Sequence, residues 1–197
     1  MVMRRREAAG DGRLLAFTLI ELLVVIAVMV VVAALLLPAL TKSRERGRSA
    51  ACLSNLHQIG MSLQMFVLEN ENTMPIMYDA EIGTNAVSSS NTLLTIDVVL
   101  SNYLGNPYIL RCPSDKSDLF TETGSSYSWN SLLNEQDAEH LSIFAIDLEP
   151  INVPLVFDKE AFHASVGKAR GVNYLYADGH AQSLLAIDGT KVKRRRR

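Results

Sequence analysis

The chain reads as an α+β protein in which one long amino-terminal helix packs against a small antiparallel β-sheet. Three observations predict this. An uncharged apolar run extends from Leu22 to Leu40, about the 20 residues that a bilayer core requires of a helix. Directly after it, Cys52, Leu56, Ile59, Leu63 and Phe66 recur at spacings of four, three, four and three, the single apolar stripe of an amphipathic helix. Beyond Pro75 the pattern changes to short β-type runs bounded by turn residues. The helix is therefore expected to be apolar all round in its first half and one-sided in its second.

The start of the helix carries the most unusual residue. Glu21 places a carboxylate at the head of the apolar run, where an ionised side chain costs about 2.5–3.5 kcal/mol on insertion scales. One reading is that it snorkels to the interface. Another is that it has a charged partner. Arg4, Arg5, Arg6 and Arg13 precede the run, as they would in an ordinary secretory signal, which would be cut after its apolar stretch near Pro38-Ala39.

The string Phe17-Thr18-Leu19-Ile20-Glu21 ahead of such a run resembles the processing site of type IV prepilins and of the pseudopilins of type II secretion. The resemblance implies cleavage between Ala16 and Phe17 by a prepilin peptidase, N-methylation of Phe17, and a role for Glu21 in aligning subunits. At Ala16 the family favours Gly. With Phe17 as the new terminus, Glu21 lies one helical turn away on the same face. There it can pair with the amine of its own or a neighbouring chain, and methylation leaves that amine positive.

Removal of sixteen residues makes Pro38 the twenty-second of the mature chain, where pilin-like helices commonly carry a proline. Its missing amide predicts a kink, or simply the end of the span. The implied organisation is a leader over 1–16, a transmembrane and assembly helix over 17–40, and the amphipathic half of the helix over 41–74. A globular head over 75–188 and a basic tail over 189–197 follow. Lys42, Arg44, Arg46 and Arg48 balance the arginines before the run, so the positive-inside rule is close to silent. The resemblance, not the charge pattern, places the chain in the cytoplasmic membrane as a single-pass protein with its head on the extracytoplasmic side.

At roughly 110 residues the head is large enough for one core. Leu93, Leu94, Ile96, Val99, Leu100 and Tyr103 suit a short helix within Asn91 to Tyr103. Tyr108 to Leu110, Tyr127 to Trp129, Ile143 to Ile146 and Val153 to Phe157 read as strands. Val172 to Tyr176 and Ala181 to Leu185 read as a hairpin, with Asp178-Gly179 supplying the positive φ of its turn. Glu81 to Asn91, rich in Ser, Asn and Gly, reads as a surface loop.

Cys52-Leu53-Ser54-Asn55-Leu56-His57-Gln58-Ile59-Gly60 carries a second, narrower resemblance, to pilin-like proteins of planctomycete and verrucomicrobial bacteria. These pair the string with a Cys-Pro element and an Asp-Gly-His element, present here at Cys112-Pro113 and Asp178-Gly179-His180. That subgroup often has a His, then nine residues, then Asp-Gly. Here fourteen residues separate His163 from Asp178, so no role passes to His163.

Catalytic chemistry is scarce. Cys52 and Cys112, the only cysteines, are open between a disulfide on an oxidising side of the membrane and two buried thiols. His57, His140, His163 and His180 show no zinc-site spacing, and two cysteines sixty residues apart supply none. Neither a phosphate loop nor a nucleophile elbow is present. Asp115 and Asp118 resemble the loop carboxylates that bind calcium in some major pseudopilins, without the oxygen-ligand pattern of a calcium loop. No metal or cofactor is otherwise implied.

Between Glu69 and Asp188, seventeen acidic residues face five basic ones, a net of −12, which disfavours nucleic acid as a partner. The run from Lys191 to Arg197 is the opposite, and reads as a disordered, solvated tail.

The resemblance thus implies a structural subunit and not an enzyme. Its partners would be the prepilin peptidase/methyltransferase, the cytoplasmic membrane, and other pilin or pseudopilin subunits in a type II secretion pseudopilus or a type IV pilus-like filament. The alternatives are a minor pilin that binds DNA or another ligand through its basic tail, and a conventionally secreted soluble protein.

Overall fold

The computed structural model describes residues 18–80, 94–143, 146–167 and 170–183. The leader, the loop expected over Glu81 to Asn91 and the basic tail lie outside them. The chain divides into two compact units, Met1–Leu40 and Thr41–Arg197. One helix, α1 (Leu19–Glu69), begins in the first and continues into the second.

In the first unit every described residue is exposed, including Leu22, Leu23, Ile26, Met29 and Leu36. This is the one helix among the described residues long and apolar enough to cross a membrane. Pro38 lies inside α1, which runs on through it, so the proline does not end the helix.

In the second unit α1 becomes one-sided as its sequence dictates. Cys52, Leu56, Ile59 and Leu63 are fully or almost fully buried, and Phe66 is half-buried. The helix stops at Glu69, ahead of Pro75, because Glu71 and Asn72 turn into the left-handed region (φ 52° and 60°). Phe66 O accepts from both the amide and the side chain of Asn70, at 3.1 and 2.8 Å, which ties down the last turn.

The sheet packed on this stripe has four strands in the order β1-β4-β5-β6, every neighbouring pair antiparallel. They are β1 (Tyr127–Trp129), β4 (Pro154–Asp158), β5 (Tyr174–Tyr176) and β6 (Ala181–Gln182). Trp129 pairs with Val156, and Phe157 with Tyr174. A register irregularity between Pro154 and Val156 falls where a proline has no amide for the ladder. Leu155, Val156 and Leu175 join Leu56, Ile59 and Leu63 in one core. This is the α+β, pilin-like arrangement the sequence predicts.

Around the sheet lie two short helices, α2 (Ile96–Val99) and α3 (Leu119–Thr123). Two expectations need correction. Tyr108 to Leu110 is not a strand but part of a 3-10 turn, Pro107–Leu110. Pro107 fits its first position and the Asn106 side chain accepts from Tyr108 N at 2.9 Å, so the local cap outweighs the β-type side chains. The single strand expected over Ile143 to Ile146 is instead a hairpin, β2 (Ser142–Ile143) with β3 (Ile146–Asp147).

Candidate functional sites at the helix start and in the head

Two places gather the chemistry-bearing side chains, and the first is the start of α1. Thr18 precedes the helix, and its Oγ1 accepts from Glu21 N at 3.3 Å. Glu21 Oε2 accepts in return from Thr18 N and from Thr18 Oγ1, each at 2.8 Å. This reciprocal pattern is a capping box, which satisfies amides that the first turn leaves without partners. The carboxylate therefore has local work as a cap, a role the Thr-x-x-Glu spacing carried and the choice between snorkelling and amine pairing overlooked. Ala16 and Phe17 lie outside the described residues.

The second place is a buried polar cluster where α1 enters the head. Glu45 and Ser49 sit seven and three residues before Cys52 on the same stripe, and both are buried. Cys52 and Cys112 have their Cα atoms 5.3 Å apart and are joined as a disulfide that closes sixty residues of chain. Beside it His163, with no exposed surface, places Nδ1 2.8 Å from Glu45 Oε1 and Nε2 3.5 Å from Cys112 Sγ. The Ser114 hydroxyl donates to the same Glu45 oxygen at 2.5 Å, and Arg48 lies 3.6 Å from the other. Burial raises the Glu45 carboxyl, but the hydrogen bonds from Ser114 and His163 outweigh it and hold the group below its ordinary range.

Asp158, at the end of β4, completes the cluster. Its Oδ2 lies 3.7 Å from His163 Nε2 and accepts from Asn173 N at 2.8 Å. Oδ1 has no hydrogen-bond partner. Burial pushes this carboxyl up to about 7, against the pull of the Asn173 amide. The fold thus joins Glu45, Cys112, Asp158 and His163, none of which spacing alone had related. The helical stripe, extended backwards through Ser49 to Glu45, was the one available signal.

The chain is 31% identical over 130 residues to type II secretion system core protein G of Pectobacterium carotovorum subsp. carotovorum, covering 66% of this chain and 73% of that protein. The chain belongs to the pseudopilin family. No protein-family model matches it, and neither does any solved structure.

Other sequence-marked residues of this pseudopilin chain have local structural work. Asp115 accepts from Leu119 N, Phe120 N and Ser126 Oγ, capping α3 and tying it to the sheet. Asp118 is exposed and adopts a left-handed conformation before α3. Their arrangement is that of a cap. Asp178 Oδ1 accepts from His180 N at 3.1 Å and sits 2.5 Å from His180 Nδ1. Gly179 takes φ +88° in the turn, and the His180 ring stacks on Tyr176 at 4.3 Å. The Asp-Gly-His element is thereby a pinned hairpin turn, to which His57 Nδ1 approaches within 3.3 Å of Gly179 O.

Proposed function

We propose that the chain is a structural subunit made as a membrane precursor and added to a type II secretion pseudopilus or a pilus-like filament. A prepilin peptidase cuts it between Ala16 and Phe17, and Phe17 is N-methylated. The head lies on the extracytoplasmic side before assembly. The likeness to a type II secretion core protein supports this reading, and one feature of the fold carries it. From Thr18 to Arg44 every residue is exposed, and about twenty of these are uninterrupted apolar side chains after Glu21. Such a surface is stable only in lipid or against other apolar helices, which are the two environments a pilin-like subunit passes between. The subgroup resemblance and the pinned Asp-Gly-His turn support a place for the chain among pilin-like proteins of the planctomycete and verrucomicrobial type.

In this reading Glu21 has two separable roles, as the cap of α1 and as a charge for subunit alignment. Glu21→Gln keeps an acceptor for the capping box and removes the charge; Glu21→Ala removes both, at about 1 kcal/mol of helix stability. Both variants are expected to insert into the membrane at least as well as the parent, since each lowers the cost of burial. Filaments sheared from cells that contain the assembly machinery should hold the parent chain and little of either variant. A parent-level yield of both would sink the assembly role of the charge.

A further inference from the structure

The buried cluster has the donor set of a metal site as well as that of a disulfide. The ligand atoms of Cys52, Cys112 and His163 all lie within 4.8 Å of one another. Asp158 Oδ2 stands 3.7 Å from His163 Nε2, and Cys112 Sγ 3.5 Å from it. Tetrahedral zinc, with bonds of about 2.3 Å to sulfur and 2.0–2.1 Å to nitrogen, sets a sulfur–nitrogen edge of about 3.5 Å. The observed spacing matches that edge. All four residues are at most 2% exposed, and they come from α1, the Cys-Pro loop, β4 and the segment after it.

Two further observations point to a cation there. Glu45 Oε1 accepts from His163 Nδ1, which turns the Nε2 edge of the ring towards Cys112 and Asp158. That is the carboxylate–histidine arrangement that orients imidazole ligands in metal sites. Meanwhile Asp158 is a buried carboxylate whose Oδ1 has no partner, so its charge is poorly compensated, and a cation on its Oδ2 would offset that charge.

We propose that, while its two cysteines are thiols, the head binds one zinc-class divalent ion through Cys52 Sγ, Cys112 Sγ, His163 Nε2 and Asp158 Oδ2, with Glu45 as the positioning residue for His163. Binding releases the two thiol protons and forms two metal–thiolate bonds. The disulfide and the metal are alternative occupants of the same two sulfurs, so the oxidised chain does not bind. Soft thiolate and imidazole donors in a tetrahedral set select zinc over calcium or magnesium.

The test uses the full chain in detergent micelles. A phosphine reduces the disulfide, taking its oxygen from water to leave two thiols and a phosphine oxide. Zinc is then titrated without oxygen, after the reductant is removed. One zinc per reduced chain is expected, with both cysteines protected from alkylation and none bound by the oxidised chain. Cys52→Ser/Cys112→Ser should lose the site, and Glu45→Gln should weaken it by about 10–100-fold. X-ray absorption of the zinc-loaded parent chain, which needs no variant to fold, should give two sulfur and two nitrogen or oxygen neighbours. Equal zinc binding by the oxidised chain or the double serine variant would overturn the proposal, as would a four-sulfur shell.

Discussion

Reduction of the Cys52–Cys112 disulfide should cost the head about 4 kcal/mol. The bond spans sixty residues, and cross-linking removes loop-closure entropy of about 2.1 + 1.5R ln n cal/mol/K from the denatured chain, here roughly 14 cal/mol/K. Both sulfurs are buried, Cys52 at 0% and Cys112 at 1% exposure, so the native packing changes little when the bond opens. Trp129, the only tryptophan, is 3% exposed in the core and reports head unfolding by its emission. Urea titrations of the full chain in micelles, oxidised and reduced, with a chelator present throughout, give the difference directly. With a denaturant slope of about 2 kcal/mol per molar, the midpoint should fall by about 2 M on reduction. A fall below about 0.5 M would refute the reasoning, because the bond would then not be constraining the unfolded chain.

Two substitutions test the packing. Leu56 has no exposed surface at the centre of the helix stripe, so Leu56→Ala should cost about 2–5 kcal/mol. The same emission assay on the oxidised chain checks this, and a loss under 1 kcal/mol would contradict the assigned helix–sheet contact. Gly124 ends α3 at φ +79°, and a Cβ there would stand 2.6 Å from the Asp97 carboxyl carbon. Gly124→Ala should therefore lower stability by about 1–2 kcal/mol from backbone conformation alone, read from the shift in melting temperature. An unchanged melting temperature would show that this turn relaxes freely.

Much of the fold was legible in the sequence because it rests on periodicity. The stripe from Cys52 to Phe66 and the strand over Tyr127 to Trp129 are set by local patterns of burial, and both stand where the residues placed them. The 3-10 turn at Pro107–Leu110 was misread because a cap from Asn106 and the fixed φ of proline decide it, not the three β-type side chains that follow. The buried cluster was harder to see. Glu45, Cys112, Asp158 and His163 are brought together by tertiary contacts across as many as 118 residues, and no spacing rule spans that distance. Only the phase of Glu45 and Ser49 on the helical stripe betrayed their burial, and both are polar residues that a hydrophobic pattern passes over. At Glu21 the reverse held: Thr-x-x-Glu is a local signal, but the cost of a charge in lipid drew the reading away from the cap.

The central claim is that this chain is a processed, filament-forming subunit, and the mass of its mature amino terminus tests that most directly. The chain is recovered from membranes of cells that contain a prepilin peptidase, and its amino-terminal peptide is sequenced by mass spectrometry. A start at Phe17, with or without one added methyl group, is the expected result. A start at Met1, or one after the apolar run near Ala39 or Leu40, would contradict the account.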